Sequence, residues 1–116
     1  LGYAMSYFNL GQAHRDGISV VIDKKKAQYY YELAAMMGSV NARHNLGLLE
    51  AQAGNAHRSL KHFVLAAKAG DNASLDLVKE AFVLNHQNAR RLTDEGGWVT
   101  KDVYETTLRA YHQRQK

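Results

Sequence analysis

The chain has 116 residues, 46% hydrophobic and 22% charged, with no cysteine, no proline and a formal net charge of +4. These values suit one domain with a modest core; they exclude disulfide stapling and thiolate metal sites, and no apolar run of about 18 residues is present to span a membrane. The missing cysteine fits a reducing compartment such as the cytoplasm, and because the chain opens on Leu1 with neither Met nor a leader-like segment, it is expected to be a piece of a longer protein.

Without proline no helix is ended by ring sterics, so the 9 glycines carry the punctuation. Ala4, Tyr7, Phe8, Leu10, Gly11 and Ala13 recur at helical spacing and predict a first helix that Gly17 ends. Asp23 is placed to cap a second, whose stripe of Ala27, Tyr30, Tyr31, Ala34 and Ala35 runs to Gly38. A third runs through Ala42, Leu46, Leu49 and Ala53 to Gly54, and a fourth through Leu60, Phe63, Val64 and Ala67 to Gly70. Ala73, Leu75, Leu77, Val78, Ala81 and Phe82 predict an amphipathic fifth helix stacked on the second pair. Asn85 to Gly97 has no clean apolar period and reads either as an extension of that helix or as a long loop; Gly96-Gly97 stops it in both cases. Thr100 then caps a last helix, with Asp102 in its first turn and Val103, Tyr104, Leu108 and Tyr111 as its buried stripe, a terminal cap for the stack. The expected fold is all-α, about five or six helices in antiparallel pairs forming a solenoid. Its core is expected to include Leu10, Ala34, Leu46, Phe63, Ala67, Leu77 and Leu108.

The first four helices are two copies of one unit. YFNLGQA at Tyr7 to Ala13 is answered by RHNLGLL at Arg43 to Leu49, and ELAAMMGSVNA at Glu32 to Ala42 by VLAAKAGDNA at Val64 to Ala73. Leu10 and Leu46 lie 36 residues apart, Gly38 and Gly70 only 32. The difference falls in one loop, long as GISVVIDKKK (Gly17 to Lys26) and short as GNAHR (Gly54 to Arg58), so the packed helices keep their register. A glycine inside a helix costs about 1 kcal/mol against alanine, so Gly11 and Gly47 imply close helix approach, as do Ala34, Ala35, Ala66 and Ala67. Gly38 and Gly70 stand where a left-handed helix end belongs. The expectation is one helical-repeat domain over 1–116, with a first repeat at 3–38, a second at 41–70 and a divergent third unit with its cap at 73–116.

Leu10-Gly11, Gly17, Val21, Asp23, Lys26-Ala27, Tyr30, Ala34-Ala35, Gly38 and Ala42 resemble the Sel-one-like repeat, a tetratricopeptide-related helix-turn-helix unit. The second copy departs from it by losing the Val and Asp of the loop and by carrying Ser59-Leu60 and Phe63 where that family has an alanine and an aromatic pair. Tyr29 to Asp71, and VTKDVYETTLRAYHQRQ at Val99 to Gln115, are also similar to repeat proteins of diatoms and other marine microalgae. The resemblance implies a protein-interaction scaffold.

Catalytic patterns do not emerge. The 6 histidines (His14, His44, His57, His62, His86 and His112) form no i, i+4 pair, and no HExxH, GxSxG or P-loop is present. His14, at a position aromatic in the resembled family, reads as a packed ring, and Asp94-Glu95 as exposed helix-end charge rather than a catalytic pair. No catalytic residue, cofactor or metal is expected, and the domain reads as non-enzymatic.

Helical repeats serve mostly as binding surfaces. On the first helix of the first pair Asn9, Gln12 and Asp16 align, and Asn45, Leu48 and Gln52 take the same places in the second. A 31-residue offset from Ala42 to Ala73 carries this face to Asp76, Lys79 and Val83. The alternative is a nucleic-acid or acidic partner held by Lys24-Lys25-Lys26, Arg90-Arg91 and the Arg109 to Lys116 tail, with some of the 7 tyrosines stacking on bases. Because the first-helix faces of both pairs are neutral or acidic, where a phosphate backbone wants cations, the expected partner is a protein or peptide on the concave face. Nothing in the pattern sets an oligomeric state.

Overall fold

A computed structural model describes residues 2–87 and 100–116. Among these residues the chain forms six helices and no strand: α1 (Gly2–Asp16), α2 (Lys24–Met36), α3 (Val40–Gln52), α4 (Ala56–Lys68), α5 (Asn72–Gln87) and α6 (Lys101–Arg114). Neighbours in the chain pack on one another, and α6 lies on both α4 and α5, so the architecture is an all-α helical-repeat solenoid. α5 runs past Phe82, the last residue of its expected stripe, to Gln87. Arg90-Arg91, Asp94-Glu95, the Gly96-Gly97 stop and Val99 lie outside the described residues.

Shared junctions explain the tight repeat. At Gly38 (φ +99°) the glycine N–H donates to the Ala35 carbonyl and the Ser39 N–H to that of Ala34, both at 3.0 Å. Such a left-handed φ is costly for any residue with a Cβ. The same bond pair recurs where α3 ends, from Gly54 to Ala51 and Asn55 to Glu50, and where α4 ends, from Gly70 to Ala67 and Asp71 to Ala66. The residue after the glycine then starts the next helix: Ser39 Oγ accepts from the Ala42 N–H at 3.1 Å, and Asp71 Oδ2 from the Ser74 N–H at 3.0 Å. Asp23 caps α2 through the Lys26 N–H at 3.1 Å and Thr100 caps α6 through the Val103 N–H at 3.2 Å, as their sequence positions predict.

The core has two parts. Ala27, Tyr31, Ala34, Ala35, Ala42, Leu46 and Leu49 cluster with Tyr7 and Phe8 against them, and Phe63 and Val78 gather Leu60, Val64, Leu77, Ala81, Phe82 and Tyr104. A Cβ on Gly11 would lie 2.6 Å from Tyr31 Cδ1, and one on Gly47 2.5 Å from Phe63 Cε1. Each mid-helix glycine therefore receives the aromatic ring of the second helix in its own pair.

Three core expectations change. Leu10 is 41% exposed, although it holds the repeat position of the fully buried Leu46. Leu46 is covered by α2; among the described residues no helix packs on the corresponding side of α1. Leu77 and Leu108 are half-buried rather than fully buried. On α6 the buried side chain is Thr107, whose Oγ1 donates to the Val103 carbonyl at 2.6 Å, while Val103 itself is exposed. α6 is seated by the Tyr104 ring stacked 4.2 Å from that of Phe82 and by the Tyr111 hydroxyl donating to Asn72 Oδ1 at 3.1 Å. That seating turns Thr107 inward.

Candidate functional site

The helices α1 and α3 carry the surface that the sequence singles out. Asn9, Asp16, Leu48 and Gln52 are exposed, Gln12 and Asn45 half-buried. Gly11 and Gly47 point each helix toward its partner ring; the six residues lie away from that direction, since a helix turns about 100° per residue. Tyr31 joins the two groups from beneath. Its hydroxyl is buried with no hydrogen-bond partner. Burial pushes its pKa up; the Arg15 charge and the Asn45 side chain pull it down, and the Asp16 charge raises it again. The hydroxyl is thus sensitive to both helices, to Arg15 and Asp16 of α1 and to Asn45 of α3.

Asp16 is already engaged. Arg15 donates from Nε to Oδ1 at 2.8 Å and from Nη2 to Oδ2 at 2.9 Å. That bidentate contact holds the Asp16 carboxyl below the usual carboxylate range and raises the guanidinium.

On the third unit the register differs from the sequence reading. Ser39 and Asp71 are equivalent N-caps, 32 residues apart, so Ala42 corresponds to Ser74 and Leu46 to Val78, each of them buried. The counterparts of Asn45, Leu48 and Gln52 are then Leu77, Glu80 and Leu84. Asp76, Lys79 and Val83 are exposed on α5, but they are one residue, about 100° of helix, away from the row. Lys79 stands at the repeat position of Gly47.

Two buried polar clusters went unread in the sequence. His44 Nδ1 lies 2.7 Å from Ser74 Oγ and 3.2 Å from Asp71 Oδ2, and the serine hydroxyl donates to that same oxygen. Serine, histidine and aspartate converge, yet both partners meet one ring nitrogen and Ser74 is fully buried. A nucleophile relay needs the base nitrogen toward an accessible hydroxyl and the other toward the carboxylate. This arrangement ties α3 to the start of α5. The available signal was Asp71 following Gly70, a cap position.

The second cluster replaces an aromatic pair. In the first unit His14 stacks on Tyr30, centroids 5.6 Å apart; in the second, Glu50 stands at the place of His14 and His62 at that of Tyr30. Glu50 is buried and accepts from Asn55 Nδ2 at 2.9 Å, so Asn55 does not spend its side chain on capping α4. His62 Nδ1 is buried without a partner. Burial lowers the imidazole pKa and Arg43 lowers it further, against Glu50 and Glu32.

Because the folded pKa of His62 lies below the ordinary 6.5, the unfolded chain binds the proton first as pH falls. Neutral His62 therefore costs the fold nothing above that value and progressively destabilises it below. His62→Tyr, which installs the residue of the first unit, should flatten the loss of stability between about pH 7.5 and 5.5 in urea titrations. Parallel losses in both proteins would assign the acid sensitivity elsewhere.

Among the described residues no three histidine, aspartate or glutamate side chains come together as a metal site, and no helix is long and apolar enough to cross a membrane. A family model described as the Sel1 repeat matches residues 4–39 and 40–71, spans that end on the N-caps Ser39 and Asp71. No curated protein and no solved structure matches the chain.

Proposed function

The chain belongs to the Sel1 repeat family, whose repeats generally mediate protein–protein interaction as non-catalytic scaffolds, and from that premise we propose that α1 and α3 hold a peptide or protein partner on the concave side of the solenoid. The observation that carries this reading is the repeated row of Asn9, Gln12 and Asp16 with Asn45, Leu48 and Gln52. Core packing does not require these side chains. Amides there can hydrogen-bond an extended main chain while Leu48 offers an apolar anchor. The row itself carries no cation, although Lys24 and Lys25 at the start of α2 border its Gln52, and that favours a polypeptide over nucleic acid as its occupant.

A pull-down with the chain identifies the partner. The double variant Asn45→Ala with Gln52→Ala should then bind it at least about tenfold more weakly, with an unchanged melting temperature. If binding is intact in that variant and is abolished instead by substituting Lys61 and Lys68 on α4, the groove model is wrong.

A further inference from the structure

The connection from α1 to α2 displays four aliphatic side chains to solvent: Ile18 (59% exposed), Val20 (40%), Val21 (86%) and Ile22 (57%). Joining two helices does not demand this length, since α3 reaches α4 through residues 53–55. The turn is held in place. The N–H groups of Gly17 and Ile18 both donate to the Ala13 carbonyl, at 2.8 and 3.0 Å, and that of Asp23 donates to the His14 carbonyl at 2.8 Å. Ser19 sits at φ +64°, a left-handed conformation that a serine adopts at a cost. Folding alone gives no reason to fix four aliphatic residues outward, because exposing contiguous apolar surface works against the fold.

Three exposed lysines follow at once, Lys24, Lys25 and Lys26, in the first turn of α2. Positive charge at a helix N-terminus opposes the helix dipole, and among the described residues none of the three is ion-paired. Lys24 and Lys25 border Leu49, Gln52 and Ala53 at the end of α3. The aliphatic turn, the lysines and the α3–α4 turn with exposed Arg58 therefore share one end of the solenoid. The nearby carboxylates are occupied: Asp16 by Arg15, Asp23 by capping α2, Glu50 by Asn55.

We propose that this end of the molecule binds the surface of an anionic lipid bilayer, with Val21 and its aliphatic neighbours inserted among the acyl chains and Lys24, Lys25 and Lys26 against the lipid phosphates. Charge complementarity selects an anionic partner, and the order of apolar tip then cationic collar matches the order of layers met on entering a bilayer. Ile22 lies over Gly17, so Val21 is the side chain the turn offers most freely, and a bilayer needs no groove to receive it.

The test is co-sedimentation of the chain with phosphatidylcholine vesicles, with and without about 30% phosphatidylserine. Binding should be about tenfold stronger to the anionic vesicles and should fall as salt is raised. Lys24→Gln with Lys25→Gln and Lys26→Gln, and separately Val21→Asp, should each weaken it about tenfold; all four positions are exposed, so circular dichroism should be unchanged. With no native cysteine, Val21→Cys carrying a polarity-sensitive fluorophore should shift to the blue on anionic vesicles alone. Absent binding, binding that survives Val21→Asp, or a fluorophore that stays in water overturns the proposal. So does capture of poly-glutamate through the lysines without vesicle binding, which would mark a polypeptide site.

Discussion

Leu46→Ala is expected to lower the stability of the protein by about 2–5 kcal/mol, whereas Leu10→Ala, the same change at the same repeat position, should cost less than about 1 kcal/mol. Leu46 is 1% exposed and packs among Ala27, Tyr31, Ala34 and Ala35 of α2, so truncation leaves a cavity bounded on both sides. Leu10 already faces water on one side, and its truncation opens no enclosed space. A loss at Leu46 of that size is a large share of the roughly 5–15 kcal/mol that holds a typical domain together. Urea unfolding of the two variants beside the parent decides the matter. Equal losses would show that the two leucines have equivalent surroundings and would remove the basis for reading Leu10 as an uncovered repeat position.

The second large effect has an unexpected sign for a glycine. Alanine is the better helix former by about 1 kcal/mol, yet Gly47→Ala should destabilise by about 1–3 kcal/mol through overpacking. The added Cβ would fall 2.5 Å from Phe63 Cε1 and 2.8 Å from both Cδ1 and Cζ. The ring has little room to yield, since Phe63 is buried and His44 packs on it with centroids 5.4 Å apart. Separating the helices instead would stretch the bond from Ser59 Oγ to the Gly47 carbonyl, now 2.7 Å. Phe63→Leu introduced into Gly47→Ala should recover part of the loss, with a coupling of about 0.5–3 kcal/mol in a thermal or urea double-mutant cycle. A Gly47→Ala protein more stable than its parent would mean that α3 and α4 do not approach this closely.

Much of the architecture is legible because its causes are local. Asp23 and Thr100 announce helix starts through side chains that reach only three residues ahead, and Gly38 and Gly70 announce ends through their own φ. Gly11 and Gly47 are readable for the opposite reason: nothing local favours a glycine inside a helix, so its presence signals a neighbour. The face on the third unit is less legible. Ala73 reads as the counterpart of Ala42, but Ser74 is the residue that is buried there, and alanine and serine are too alike in size for composition to choose between them. The choice moves the candidate row from Asp76 and Lys79 to Leu77 and Glu80.

The sequence by itself determined that the chain is a repeated helical hairpin, where Asp23 and Thr100 start helices and Gly17, Gly38, Gly54 and Gly70 end them, and that helices approach closely at Gly11 and Gly47, because these follow from hydrogen bonds and sterics within a few residues or within one repeat. Only the tertiary structure decided which of two identical leucines is buried and that His44 joins Asp71 and Ser74. Each of these depends on what an adjoining helix places across the gap, and coverage by a neighbour is a property of the stack that no single unit carries in its own residues.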